Sequence, residues 1–92
     1  MGKSFFESTS NFTEGLKLLS RTQILEVFDT LELLVQQPLE ASLRRHSLSK
    51  NPIQIQSLTV SANLRIIIRE RPNGGFLLLD VGDHTRVYKD SK

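Results

Sequence analysis

The chain has 92 residues, of which 38% are hydrophobic and 24% charged, a balance typical of one small globular domain spanning residues 1–92. It contains no cysteine and only two histidines, which excludes disulfides, thiolate metal sites, a cysteine nucleophile and a zinc site made of histidines alone. Its net charge of +2 is unevenly divided: residues 1–40 hold three basic and six acidic residues (−3), and residues 41–92 hold nine basic and four acidic residues (+5). Such a division favours a polyanion or an acidic partner on one face, although it also arises by chance in short chains.

The first third of the chain predicts a short strand and two helices. Residues 3–8 contain two aromatic residues and are typical of an opening strand. Asn11 with Glu14, and Ser20 with Gln23, have the spacing of helix-capping pairs. The first pair precedes a short apolar face, and the second precedes a longer stripe with a period near 3.6, formed by Ile24, Val27, Phe28, Leu31, Leu34 and Val35. Pro38 is expected to end the second helix.

The rest of the chain predicts a polar connection and three strands. Residues 39–50 form the connection, and residues 53–60, 64–69 and 76–81 have the composition of strands. Asn63 marks one turn, and the Pro-Asn-Gly-Gly sequence at 72–75 is a strong hairpin signal. The order β-α-α-β-β-β predicts an α+β domain, with a helical hairpin packed on a mostly antiparallel four-stranded sheet.

The segment that follows the last predicted strand carries most of the reactive side chains. His84 can exchange protons near neutral pH, Arg86 can bind phosphate oxygens, and Tyr88 can stack on a base or supply a hydroxyl. The structural alternative is a turn shaped by Asp83 and His84, followed by packing residues.

Two further groups of cations are candidates for binding a nucleic acid. Arg65 and Arg69 lie on one face of the predicted 64–69 strand, and Arg65 approaches His84 if the last two strands are neighbours. The polar connection carries the second group, which consists of Arg44, Arg45, His46 and Lys50. Both groups are also compatible with an ordinary solvated surface.

Other classes of site find little support in the sequence. Gly74-Gly75 belongs to no phosphate-binding glycine motif, and we expect no metal and no cofactor. No stretch approaches about 18 apolar residues, and the N-terminus has no secretory pattern, so we expect neither a membrane span nor a signal peptide. The lack of cysteine favours the cytoplasm.

The order of these elements resembles the RelE/ParE superfamily of bacterial type II toxin–antitoxin toxins, in particular the RelE-like branch with a G-x-H-x-x-V-Y ending. The resemblance covers nearly the whole chain: residues 11–38 resemble the helical hairpin, 45–48 the connecting turn, 63–68 the arginine-bearing strand and 79–88 the ending. It implies a partner antitoxin and, for RelE-like members, cleavage of mRNA in the ribosomal A site by a metal-independent endoribonuclease.

The resemblance also implies roles for individual residues. Arg65 would stabilise the reacting phosphate, and His84 would act as an acid or a charge. Tyr88 would stack on a base or assist the 2′-hydroxyl, and Arg86 would be an additional cation. In that reaction the ribose 2′-hydroxyl attacks the neighbouring phosphate, which requires a proton acceptor, a proton donor and positive charge.

One departure from the family keeps a second hypothesis open. RelE-like members that act on the ribosome commonly carry lysine or arginine on the strand before the arginine strand, whereas residues 51–64 here contain no charged residue. The alternative is a non-catalytic protein of the same fold, either a ParE-like poison that binds DNA gyrase or an inactive homologue that binds an antitoxin.

Overall fold

The computed structural model describes residues 5–48, 55–72 and 74–88. In these ranges the elements are β1 (Phe6–Ser8), α1 (Ser10–Lys17), α2 (Arg21–Gln36), β2 (His46–Ser47), β3 (Ile55–Ser61), β4 (Leu64–Glu70), β5 (Phe76–Asp83) and α3 (His84–Tyr88). The strands form one sheet in the order β1-β5-β4-β3-β2, in which β1 is parallel to β5 and the other neighbours are antiparallel. The predicted α+β class, with a helical pair on a mostly antiparallel sheet, is confirmed.

The predicted number of strands was too low by one. Residues 39–50 were predicted to be a polar connection, but their described part contains a 3-10 turn at Ala41–Leu43 and then β2. In β2, His46 pairs with Ser57 of β3. A strand of two residues is too short to show an alternation of apolar and polar side chains, so its position depends on the edge that β3 offers.

The two helix starts differ in how well the sequence indicated them. The Ser20–Gln23 capping box at the start of α2 is confirmed, with both reciprocal hydrogen bonds present. The capping pair predicted at Asn11 was wrong, because α1 begins earlier and its N-cap is Thr9. The Thr9 hydroxyl accepts from the backbone N–H of Phe12 and also lies 2.9 Å from the carbonyl oxygen of Leu79, so tertiary contact with β5 selects this cap.

The hydrophobic core lies between one face of the sheet and the two long helices. α1 packs on β5 and α2 packs on β3. The sheet residues that line this core are Leu58, Leu64, Ile66, Ile68, Phe76, Leu78 and Val81. Leu64, Ile66 and Ile68 of β4 are buried in this core and alternate with Arg65 and Arg69, which share the other face of the strand as predicted. Among the described residues, no helix combines the length and apolar character that crossing a bilayer requires.

Two predicted strands and the predicted hairpin fall partly within the described residues. The strands predicted at 3–8 and 53–60 start outside the described residues and are observed from Phe6 and Ile55. In the predicted 72–75 hairpin, Gly74 and Gly75 have φ angles of 102° and 81°. Residues with a side chain rarely adopt such φ angles, which explains the two glycines in this turn.

Candidate active site

The candidate site lies on the face of the sheet opposite the two long helices. We call this the second face and define it by the residues that alternate with the core-facing ones, namely Ser57 and Thr59 on β3 and Arg65, Ile67 and Arg69 on β4. Antiparallel pairing sets Ser57 beside Ile67 and Thr59 beside Arg65. Residues that pair directly across an antiparallel sheet have Cβ atoms about 5 Å apart, so these side chains form one continuous surface.

The short helix α3 covers part of this second face. The sequence was compatible with a turn at Asp83 and His84. In the structure β5 leads directly into α3, which packs against β4 and β5. The carboxylate of Asp83 accepts a hydrogen bond from the backbone N–H of Arg86 at 2.8 Å, which satisfies a free donor of the first turn. The chain changes direction between β5 and α3, so that the C-terminal end of α3 lies over β3.

Tyr88 and His84 are joined on the side of α3 that faces the sheet. The Tyr88 phenol oxygen lies 2.5 Å from the Ser57 hydroxyl oxygen, and Ser57 is fully buried. The ring of His84 meets the ring of Tyr88 edge to face, with centroids 4.4 Å apart. His84 is otherwise exposed and Tyr88 is half-buried. The imidazole therefore remains accessible while its neighbour is fixed to the sheet.

His46 reaches the same place from the opposite edge of the sheet. It is exposed on β2 and pairs with Ser57, the residue that holds Tyr88. Its Nδ1 lies 3.0 Å from the carbonyl oxygen of Arg44. The two histidines thus flank the Ser57–Tyr88 hydrogen bond. The sequence grouped His46 with Arg44, Arg45 and Lys50, and only strand pairing shows that it is the neighbour of Ser57.

Arg65 adjoins the site but also has a structural task. It pairs with Gly82, two residues before His84, so the predicted approach of Arg65 to the end of the last strand is confirmed. Its Nη1 donates to the carbonyl oxygens of Ser61, Ala62 and Leu64, the first at 2.6 Å. The Nε and Nη2 atoms of Arg65 donate to no other group in the part of the chain that the structure describes.

Arg69 lies farther along the second face. It pairs with Ile55 and Leu77, about 13 Å along the strand from Arg65. Within the described ranges, its side chain forms no hydrogen bond or ion pair. Arg65 and Arg69 therefore offer positive charge at two points of the same surface.

Arg86 points away from this surface. Its Nε donates to the carboxylate of Asp80 at 3.1 Å, and its Nη2 donates to the carbonyl oxygen of Asn11 in α1 at 3.1 Å. The side chain also lies against Gly15 and Gly82, where a Cβ atom would come within 3.2 Å and 2.5 Å of it. A catalytic role for Arg86 stays a prediction, but the observed contacts connect α3, β5 and α1.

The described members of the second predicted cation group, Arg44, Arg45 and His46, have different surroundings. The Arg45 side chain makes other contacts: it donates to Gln56 at 2.9 Å, forms a 3.4 Å ion pair with Glu70 and lies over the ring of Phe76. Arg44 is exposed and has a φ angle of 46°. Lys50 lies outside the described residues.

The described residues offer neither a metal site nor an enclosed pocket at this location. No group of three histidine, aspartate or glutamate side chains in the described ranges is arranged to hold a metal ion. An open cleft of about 570 Å³ lies on the Arg86 side of α3, lined by Leu18, Asn63 and Asp83 among others. Neither His84 nor Tyr88 lines this cleft, so we assign the candidate chemistry to the open second face.

Comparison with solved structures identifies the fold. YafQ from E. coli superposes with a TM-score of 0.74 at 16% identity, over 90% of this chain and 96% of that chain. The E. coli DinJ-YafQ toxin-antitoxin complex gives a TM-score of 0.75 at 16% identity, covering 90% and 94%. This chain has the YafQ fold. A metal-bound toxin from Helicobacter pylori also shares it, with a TM-score of 0.74 at 17% identity, covering 89% and 96%.

No protein-family model and no curated protein matches the chain. At 16–17% identity the likeness to these structures extends to the fold.

Proposed function

We propose that this protein is the toxin of a type II toxin–antitoxin system and that it cleaves mRNA bound to the ribosome. The observation that carries the proposal is the row formed by His46, the Ser57–Tyr88 pair and His84 on the second face. Arg65 and Arg69 lie on the same surface. The YafQ fold, which a toxin–antitoxin complex also contains, supports the same function.

The row supplies the groups that RNA cleavage through a 2′-hydroxyl requires. If Nδ1–H of neutral His46 donates to the Arg44 carbonyl, its Nε2 is left as a proton acceptor. This atom takes the proton of the 2′-hydroxyl as its oxygen forms a bond to phosphorus. The bond from phosphorus to the 5′-oxygen breaks, and protonated His84 gives that oxygen its proton. The products are a 2′,3′-cyclic phosphate and a 5′-hydroxyl.

The remaining residues bind the RNA and stabilise charge. The free guanidinium nitrogens of Arg65 donate to the phosphate as negative charge develops on it. Arg69 contacts a phosphate farther along a single strand, and Tyr88 presents a ring on which a base stacks. The reaction needs no metal and no cofactor in this scheme.

This activity requires an antitoxin, the ribosome and mRNA as partners. A protein antitoxin covers the second face and prevents cleavage, and the ribosome presents the mRNA. Translation takes place in the cytoplasm, which is where we expect the protein to act.

A test combines translating ribosomes with a mapping of mRNA ends. We expect the purified protein to cut mRNA within translated codons and to leave 5′-hydroxyl ends. His84→Ala should prevent the cuts, whereas Thr22→Ala, at an exposed position of α2, should leave them unchanged. Growth arrest by the expressed protein without such cuts would contradict the nuclease proposal.

One observation favours the non-catalytic alternative. The described part of β3 carries no charged side chain, and both Arg65 and Arg86 donate to groups within the protein. A protein short of free cations could instead bind DNA gyrase or only an antitoxin. A supercoiling assay with purified gyrase separates these outcomes: inhibition at micromolar protein without mRNA cuts would favour the gyrase-binding form.

A further inference from the structure

We infer that Ser57 is a positioning residue of the candidate site, which fixes the phenol of Tyr88 between the two histidines. This inference rests on the proposed function and assigns a role to a residue that carries no charge and belongs to no motif. Three observations support it: the burial of Ser57, the geometry of its hydrogen bond and its place in the sheet.

Burial makes the Ser57 hydroxyl dependent on its partner. Ser57 and Thr30 are the buried polar side chains among the described residues, and Ser57 has no exposed surface. Thr30 donates to the carbonyl oxygen of Glu26 within its own helix. Ser57 instead bonds to a side chain 31 residues away. A buried hydroxyl that loses its partner is costly, so this bond is strongly maintained in the folded protein.

The geometry of the bond restricts Tyr88 at both ends of its ring. An oxygen–oxygen separation of 2.5 Å is at the short end of the range for hydroxyl groups. The phenol oxygen is therefore held at the sheet surface, while the ring edge rests against His84.

The register of the sheet places this fixed phenol next to His46. Ser57 pairs with His46 across β2 and β3, and side chains in such a pair share a face. The His46–Ser57 pairing and the Ser57–Tyr88 bond thus place Tyr88, with His84 against its ring, on the face of the sheet that carries His46. Phenylalanine in place of Tyr88 would keep the stacking surface and lose this constraint.

A set of four variants tests the inference with mRNA cleavage on the ribosome as the readout. We expect Ser57→Ala to lower kcat by about tenfold, the rate equivalent of one neutral hydrogen bond, with little change in KM. Tyr88→Phe should have a similar effect. The double variant should be no slower than Tyr88→Phe by more than about twofold, because residues that act through one bond are not additive. The matched control is Thr30→Val, which removes the other buried hydroxyl and should leave kcat unchanged.

A spectroscopic measurement reports on the bond without RNA. Tyr88 is the single tyrosine of the chain, and there is no tryptophan, so a tyrosine label reports on this site alone. The hydroxyl proton of the labelled tyrosine should give a slowly exchanging NMR signal in the wild-type protein and in Thr30→Val. The signal should exchange markedly faster with solvent in Ser57→Ala, and an unchanged exchange rate would contradict the inferred bond.

The outcomes separate the two proposals. If the wild type cleaves RNA and Ser57→Ala cleaves it equally fast, the positioning role is wrong and the proposed function stands. An equal loss from Ser57→Ala in the wild-type and Tyr88→Phe backgrounds would also overturn the role, since Ser57 would then act independently of the phenol. A wild-type protein that cleaves no RNA overturns both statements.

Discussion

The two sides of α3 perform different tasks with side chains only two residues apart. On one side, His84 and Tyr88 lie over the sheet and leave an imidazole open to solvent. On the other side, Arg86 reaches Asp80 in β5 and the backbone of Asn11 in α1. A helix of five residues has too few internal hydrogen bonds to be stable alone. Contacts on both sides therefore hold the helix, Arg86 to β5 and α1 and Tyr88 to Ser57, while the His84 imidazole stays exposed.

This contrast shows that reactive residues that are close together in the sequence need not belong to one site. The sequence groups His84, Arg86 and Tyr88 as one candidate, but successive residues of a helix point in different directions. His84 and Tyr88, four residues apart, share a side, and Arg86 between them does not. The four predictions that follow test this division, from the largest expected effect to the smallest.

His84→Ala tests the reactive side. We expect mRNA cleavage to fall by about 100- to 1,000-fold, as for the loss of a general acid. Because His84 is exposed, the free energy of unfolding should change by no more than about 0.5 kcal/mol. Cleavage rates and denaturant titrations measure the two effects. Thr85→Ala, at the next exposed position of α3, is the control, and equal cleavage by His84→Ala and Thr85→Ala would remove the distinction between the two sides.

Gly15→Ala tests the contact of α1 with β5, on which the anchored side depends. A Cβ atom at Gly15 would lie close to the carbonyl oxygen of Val81 and 3.2 Å from Nε of Arg86. Backbone must move to admit it, so we expect a loss of about 2 kcal/mol in the free energy of unfolding. Thr13→Ala, at an exposed position of the same helix, should cost far less. A stabilised Gly15→Ala protein would show that helix propensity outweighs this close approach.

Arg86→Ala tests the anchor itself. The Arg86–Asp80 pair is mostly shielded, with side chains 30% and 21% exposed, and a second hydrogen bond reaches Asn11. We expect unfolding to become easier by about 1–2 kcal/mol. Affinity for single-stranded RNA should stay the same at a temperature where the variant is folded. An RNA affinity that falls while stability is unchanged would instead assign Arg86 to the substrate.

Arg69→Ala, compared with Arg45→Ala, extends the contrast to the sheet. Arg69 has no intramolecular partner among the described residues, whereas Arg45 is bonded to Gln56 and Glu70. We expect Arg69→Ala to weaken RNA binding and to reduce the slope of log affinity against log salt by about 0.7. Arg45→Ala should leave that slope unchanged and lower stability by up to about 1 kcal/mol. Equal slopes for both variants would contradict the assignment of the second face to RNA.

Local sequence patterns account for much of the fold. The apolar stripe with Pro38 beyond it, together with the Ser20–Gln23 capping box, predicts α2, and these signals are formed by neighbours in the chain. The alternation at residues 64–69 gives β4 its two faces correctly. β2 and the Thr9 cap were not predicted, because both depend on contacts with distant strands.

The candidate site is less accessible to sequence reasoning than the fold. The residue types His84, Tyr88 and Arg65 suggest chemistry, but a buried serine in a neutral strand gives no signal in one sequence. The sequence identified His46 as a candidate but grouped it with Arg44 and Arg45, its neighbours in the chain. Its neighbour in the sheet is Ser57.

The sequence by itself thus determined the α+β class, the long helix, the three longer strands and the residue types available for chemistry. It could do so because helix periodicity, strand alternation and turn residues are local properties of the chain. Only the tertiary structure decided which of those residues meet. Strand pairing places His46 beside Ser57. The position of α3 over the sheet allows Tyr88 to bond to Ser57 and Arg86 to bond to Asn11 of α1. These contacts link residues 11 to 75 positions apart, and no local pattern specifies them.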